Sequence, residues 1–302
     1  MRTKCPVSDC DYEGPPESVA AHVRSKRDSK HDWDRLGYKG GNHYEREHQN
    51  KSDDETKIGW LTDSHIGKSE VKRGKRRWDI SPLKDLTAVV QILSSFDLDG
   101  VIYTGDLFHE DKNGIRGEDV KSVKYLLESY LDDALPIRYI KGNHARNRGK
   151  EIWSDFEREG IVEPLEIEPY ELGEAAIYGI DHHQGDNGWW DEPPKLQPTD
   201  AEHRILCLHQ AVKPVRTHER AIDLKEVLPK LSRFLEGVPE VVLIGHIHEK
   251  ADTTIEVDGQ KVVVLSYGAT TRVGDSCDDF PPSAGLIIPD LHSPEIRYLY
   301  SN

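Results

Sequence analysis

Six short apolar runs in this chain each end in a histidine, an aspartate or an asparagine: "IGWLTDSH", "GVIYTGD", "IRYIKGNH", "AIYGIDHH", "RILCLHQ" and "VVLIGHIH". Apolar runs of this length with polar tips read as buried strands. Helical periods lie between the early ones. Ser81-Pro82 supplies an N-cap and a first-turn proline, after which Leu83, Leu86, Val89, Val90, Leu93 and Phe96 recur at helix spacing. Asp119 to Leu131 reads as another helix. Towards the C-terminus the pattern changes to antiparallel strands, with a hairpin at Asp258-Gly259 and short strands in "GLIIPD" and "EIRYLY". Strand–helix units followed by antiparallel strands predict two sheets packed in an α/β sandwich.

At 302 residues the chain is long enough for one large domain plus a small one. Residues 1–34 read as a compact Cys/His segment, 35–55 as a polar linker with two adjacent glycines, and 56–302 as the main domain. No apolar run approaches the roughly 18–20 residues of a membrane span, which excludes a helical membrane protein. The N-terminus holds two cysteines and no apolar stretch, unlike a signal peptide. Four cysteines, two of them the isolated Cys207 and Cys277, argue against a disulfide framework and for a reducing, cytoplasmic setting. The net charge is −15, and residues 52–302 carry 30 Lys/Arg against 46 Asp/Glu. A body this acidic repels nucleic acid unless the binding surface is locally basic.

Side chains at the carboxyl ends of α/β strands converge. Here they are Asp63 and His65, Asp106 and His109, Asn143 and His144, His209, and His246 and His248. Carboxylates, imidazoles and one amide oxygen are the inventory that two divalent ions about 3.5–4 Å apart require. Any one pair alone reads equally well as a polar strand end. Five in chain order, each behind an apolar strand, do not.

The blocks "DSH", "GDLFH", "GNH", "LHQ" and "GHIH" resemble the signature blocks of the calcineurin-like metallophosphoesterases. "LFHED" after the aspartate differs from the protein-phosphatase pattern. "GDLFH", "LHQ" and "SYGATTR", ending in Arg272, resemble the DNA-repair nuclease branch (Mre-eleven/SbcD type) over residues 56–302. The resemblance implies a four-layer α/β/β/α sandwich and a Mn-dependent two-metal phosphodiesterase acting on DNA, with two Mn2+ (or Fe/Zn). The alternatives are an enzyme for nucleotides or small phosphoesters, and a metal-binding scaffold without catalysis. By matching motif, Asp63, His65 and His248 hold one ion, Asn143, His209 and His246 the other, and Asp106 bridges. His144 then assists the leaving group and His109 positions substrate. The branch also implies a homodimer, for which the apolar face of Val123, Leu126, Leu127 and Leu131 would serve if it is not simply core-facing. The branch's DNA-capping domain and ATPase-docking segment are not evident after "EIRYLY", which leaves an ATPase partner open. Ala145 stands where the family has an acid. An acid there orients the histidine, so its absence predicts an altered rate or pH optimum rather than inactivity.

Three basic runs flank these blocks on the acidic body, one of them Lys213, Arg216 and Arg220 after His209. "KSEVKRGKRRW" follows His65 and contains Lys72, Arg73, Lys75, Arg76 and Arg77; Arg146 and Arg148 follow His144. A single charge run is an ordinary solvated face, but runs beside successive ligand loops predict contact with a phosphate backbone. At the N-terminus, Cys5, Cys10, His22 and His31 have the residue types of a structural zinc finger. Eight residues separate the two histidines where 3–5 are usual, so His31 is expected from a loop beyond a helix carrying His22. His182-His183 reads as a polar loop and Trp189-Trp190 as loop packing or a dimer contact.

Overall fold

The computed structural model describes residues 3–7, 10–14, 16–26, 31, 56–68, 70–73, 76–110, 115–131, 135–144, 147–183, 188–216, 221–267, 269–271, 282–289 and 295–300. The linker read over 35–55 lies outside them, as do Lys75, Ala145, Arg146 and Arg272. Two compact units are present, Met1–Glu55 and Thr56–Asn302. The first contains β1 (Thr3–Lys4) paired antiparallel with β2 (Glu13–Gly14), then α1 (Pro16–Ser25).

The second unit runs β3 (Ile58–Leu61), the two-stranded β4 (Glu70–Arg73) and β5 (Arg76–Asp79), α2 (Pro82–Leu93), β6 (Gly100–Tyr103), α3 (Gly117–Tyr130), β7 (Ile137–Tyr139), α4 (Asn147–Arg158) and β8 (Glu163–Pro164). It continues with β9 (Tyr170–Leu172), β10 (Ala175–Ile180), β11 (His203–Leu208), β12 (Val212–Lys213), β13 (Ile222–Asp223), α5 (Leu224–Leu231) and β14 (Val241–Ile244). Last come the hairpin β15 (Lys250–Val257) and β16 (Gln260–Tyr267), then β17 (Ser283–Ile288) and β18 (Glu295–Tyr300). One six-stranded sheet has the order β18-β17-β3-β6-β7-β8 and the other β15-β16-β14-β11-β10-β9. In each, the four strands β3-β6-β7-β8 or β10-β11-β14-β16 are parallel and the outer ones antiparallel.

Three apolar clusters define the layers. Ile58, Trp60 and Ile102 of the first sheet pack against Ile177, Cys207 and Leu243 of the second, with both inner faces dry. On the far side of the first sheet lie α2, α3 and α4, through Leu86, Val90, Val123, Leu127, Trp153 and Phe156. On the far side of the second lies α5, through Leu224, Val227, Leu228 and Leu231. The result is the α/β/β/α sandwich. Because both faces of each sheet are covered, its central strands read as unbroken apolar runs rather than as alternating ones.

Val123, Leu126, Leu127 and Leu131 are all buried in the helix–sheet core, so this face of α3 is core-facing and not a free dimer surface. α4 begins at Asn147, inside the charged stretch "KGNHARNRGK". Its start is set from a distance: Glu110 Oε2 accepts the backbone N–H of Arg148 (3.0 Å) and Gly149 (3.3 Å), an acid at a helix N-terminus. Trp153 then stacks on Tyr139 at 3.9 Å and seats the helix. Trp189 and Trp190 pack against the second sheet's outer cluster, as loop packing predicts.

Trp60 is fully buried between the sheets and donates its indole N–H to Thr104 Oγ1 at 2.8 Å. Trp60→Ala should therefore cost about 3–5 kcal/mol of unfolding free energy in urea titration. A loss below about 1 kcal/mol would show that the inter-sheet layer tolerates the cavity.

Candidate metal centre

Five parallel strands, three from one sheet and two from the other, bring their carboxyl ends to one edge. β3 leads into Asp63 and His65, β6 into Asp106 and His109, β7 into Asn143 and His144, β11 into His209, and β14 into His246 and His248. The backbone is bent to hold them. Among the described residues the non-glycine positive φ angles are at Asp63 (51°), His65 (47°), Asp106 (53°), His246 (80°), His248 (52°) and Asp258 (49°). Asp258 is the hairpin turn; the other five are candidate ligands. Left-handed backbone costs a non-glycine residue on the order of 1–3 kcal/mol and persists where the surroundings over-determine it. Close packing explains two of the neighbouring glycines. A Cβ on Gly142 would lie 2.1 Å from Asp106 Oδ1, and one on Gly105, itself at φ 100°, 2.2 Å from His209 Nδ1.

The side chains form two adjoining groups. Asp63 Oδ1 is 3.0 Å from His248 Nε2, which is 3.0 Å from His65 Nε2. Asn143 Oδ1 is 2.8 Å from His246 Nδ1 and 3.1 Å from His209 Nε2. Asp106 Oδ2 lies between the groups, 3.0 Å from His209 Nε2 and 3.9 Å from His65 Nε2. Each carboxylate is fixed through its other oxygen. Asp63 Oδ2 accepts from the Thr62 hydroxyl (2.6 Å) and the His246 amide (3.0 Å), and Asp106 Oδ1 accepts from the His144 amide (2.8 Å). His209 donates Nδ1–H to the Thr104 carbonyl at 2.6 Å, which presents Nε2 to the site. His65 Nδ1 and His109 Nδ1 share one hydrogen bond at 3.2 Å, and His144 stacks obliquely on His109 with ring centroids 4.4 Å apart.

Asp63 and Asp106 are 0% and 1% exposed. Among the described residues every ion pair recorded for them is to an imidazole. Burial pushes both carboxyls up, but the facing histidines win and hold both well below the usual carboxylate range, His248 and His209 for Asp63 and His209 for Asp106. Burial drives His65 down to about 3. Burial and the His209 charge take His246 down to about 4. His209 goes the other way: its burial is overcome by Asp106 and Asp63, which raise it to about 9. Two buried anions thus have only imidazoles as ion-pair partners among the described residues, a deficit of permanent positive charge.

A divalent cation fits that deficit. Donors on adjacent positions of an ion with bonds of about 2.1 Å lie about 3.0–3.4 Å apart, and the close contacts within each group, at 2.8–3.1 Å, sit at or just below the short end of that spacing. Two carboxylates, one amide oxygen and four imidazoles suit a Mn, Fe or Zn ion rather than a thiolate-seeking one.

Residues 56–250, which contain all nine of these side chains, match the family model described as calcineurin-like phosphoesterase. The chain belongs to that family. It is also similar to curated proteins named DNA double-strand break repair protein Mre11. The protein from Haloferax volcanii is 30% identical over 73% of this chain and 47% of its own length. Those from Halobacterium salinarum (29% identity, 71% of this chain, 57% of that protein) and Sulfurisphaera tokodaii (25%, 70% and 53%) are comparable. The chain spans about half the length of these relatives.

Three further contributions were not legible as such. His182, read as a polar loop, donates Nδ1–H to the His209 carbonyl at 2.8 Å and sits with its ring 5.5 Å from His246, on the wall of the site. Its signal was the strand-end position it shares with the other histidines. Thr270 and Thr271, in the "SYGATTR" block, brace the Asp63 loop: the Thr62 amide donates to Thr270 Oγ1 at 3.0 Å, and Thr271 Oγ1 donates to the Ser64 carbonyl at 2.8 Å. Thr104 holds His209 through a carbonyl, which no side-chain pattern reveals. Of the basic residues, Lys72, Arg73, Arg76 and Arg77 lie on the β4–β5 ribbon that follows His65. Arg148 is exposed on the first turn of α4, where it is paired with Glu151 at 2.9 Å.

The His209 shift gives a proton-linked expectation. Its folded-state pKa is above histidine's ordinary 6.5, so the metal-free protein carries that proton at pH 7 and must release it when Nε2 takes a cation. Calorimetry in buffers of different ionisation enthalpy should show about one proton released per chain near pH 7, falling away above about pH 9. Release independent of pH across that range would contradict the assignment of His209.

Proposed function

We propose that this chain is a Mn-dependent, two-metal phosphodiesterase that cuts DNA. The observation that carries the reading is the position of Asp106 Oδ2 between two complete donor groups. One group is Asp63, His65 and His248; the other is Asn143, His209 and His246. Bound there, two ions would supply Lewis acidity towards the phosphoryl oxygens and a nucleophile at neutral pH. The remaining work falls to the protein's own groups. His65 must keep its hydrogen on Nδ1 if Nε2 is to be a ligand, so it donates to His109 Nδ1. His109 then carries its own hydrogen on Nε2 and offers it to a phosphoryl oxygen. His144, half-buried beside it, is held neutral by burial in the free protein. The negative charge of a bound phosphodiester favours the imidazolium, which gives its proton to the leaving oxygen.

DNA as substrate is supported by the names of the relatives and by the basic β4–β5 ribbon beside the His65 loop. The ribbon offers positive charge where the surrounding body is acidic, as backbone recognition requires. If the chain forms a homodimer, it uses a surface other than the buried face of α3.

The deciding experiment reconstitutes metal-depleted protein with Mn2+ and assays labelled single- and double-stranded DNA beside a model phosphodiester and a model monoester. Mn-dependent DNA degradation is expected. Asp106→Ala should abolish it and lower metal content. His144→Ala should reduce it about 10²–10⁴-fold with the metals retained, because the backbone amide that fixes Asp106 survives the change. Monoester turnover without nuclease activity would overturn the reading, and metal loss in His144→Ala would overturn the role given to that residue.

A further inference from the structure

Outside the phosphoesterase domain, the unit Met1–Glu55 holds a second cluster of metal-binding groups. Cys5, Cys10, His22 and His31 each contribute one donor atom, and all four lie within 4.8 Å of one another. Cys10 Sγ is 3.2 Å from His22 Nε2. Around a zinc ion with bonds of about 2.3 Å to sulfur and about 2.0 Å to nitrogen, neighbouring corners of a tetrahedron lie roughly 3.3–3.8 Å apart. The four donors therefore need only a small contraction to meet a common ion.

The scaffold is shaped for that meeting. The Cys5 amide donates to the Tyr12 carbonyl at 2.8 Å, and the Cys10 amide to the Val7 carbonyl at 3.0 Å, which folds the two cysteines back on each other. The two thiols are not joined to each other. His22 lies on α1, with its ring stacked flat on Tyr12 at 4.1 Å. His31 comes from beyond the end of that helix and meets His22 edge-on at 5.4 Å. His31 thus joins the cluster from outside α1, which ends at Ser25.

The described part of the unit buries too little apolar surface to hold itself together. Its core among the described residues is Cys5, Val7, Val19, Ala20 and Val23, with two-residue strands and a ten-residue helix around it. Modules of this size need a metal or disulfides to fold. We infer that Cys5, Cys10, His22 and His31 bind one structural Zn2+ in a closed tetrahedral site that holds the N-terminal unit in its fold. With all four positions supplied by the protein, the site has no open position for a substrate or water. The inference does not depend on the phosphodiesterase reading, and the ligand chemistry keeps the two centres distinguishable: none of the described donors of the candidate active site is a thiolate.

That difference sets the test. Full-length protein, purified with reductant, is measured for zinc, then exchanged with Co2+ and examined by absorption spectroscopy, alongside Cys10→Ser. The native chain should bind one more equivalent of zinc than the variant. The cobalt form should show tetrahedral d–d bands and a near-ultraviolet thiolate-to-metal charge-transfer band that Cys10→Ser loses. Proteolysis within residues 1–34 should be about tenfold faster or more in the variant, while its turnover of a model phosphodiester stays unchanged. Equal zinc content in the two proteins, no thiolate band in the native cobalt form, or a Cys5–Cys10 disulfide in zinc-free native protein would each overturn the inference.

Discussion

The structure turns on two carboxylates that are buried with no lysine or arginine paired to them among the described residues. Asp63 and Asp106 are out of water, and each ionised carboxylate carries a desolvation penalty of several kcal/mol, to order of magnitude. The hydroxyl of Thr62 and the amides of His246 and His144 satisfy one oxygen of each. Imidazoles face the other. A cluster built this way is balanced when divalent cations complete it, and the arrangement of the fold around it follows from that need.

Two sheets meet there because neither alone supplies enough strand ends. The first brings both carboxylates, the Asn143 amide and His65; the second brings His209, His246 and His248. Relative placement therefore depends on the dry layer between the sheets, where Trp60 packs and donates to Thr104, whose carbonyl in turn orients His209. Left-handed backbone at five of the donor positions and tight glycines at 105 and 142 are the local cost of turning each strand end into the same small volume. Packing, strain and chemistry are here one connected system.

Much of this was readable in the sequence for a physical reason. Strands covered on both faces are uniformly apolar, so "VVLIGHIH" and its counterparts stood out, and their polar tips marked the nine candidate residues that the fold gathers at one edge. What was hidden depends on contacts made at a distance. The start of α4 is capped by Glu110, thirty-eight residues earlier than Arg148, so "ARNRGK" carries no local helix signal. His182 has the same strand-end position as the other histidines, but nothing in its own neighbours separates a site wall from a polar loop. The α3 face of Val123, Leu126 and Leu127 shows the converse limit: an amphipathic stripe does not say whether it meets a partner or its own sheet, and here it meets the sheet.

The central claim is that the donors at this shared edge form two cation positions joined by Asp106. Anomalous diffraction from crystals of the full chain equilibrated with Mn2+ tests it most directly. The account predicts two peaks about 3.5–4 Å apart, one within bonding distance of Asp63, His65 and His248 and the other of Asn143, His209 and His246, with Asp106 reaching both. A single peak, or a peak ligated by His65, His109 and His144 instead, would contradict it.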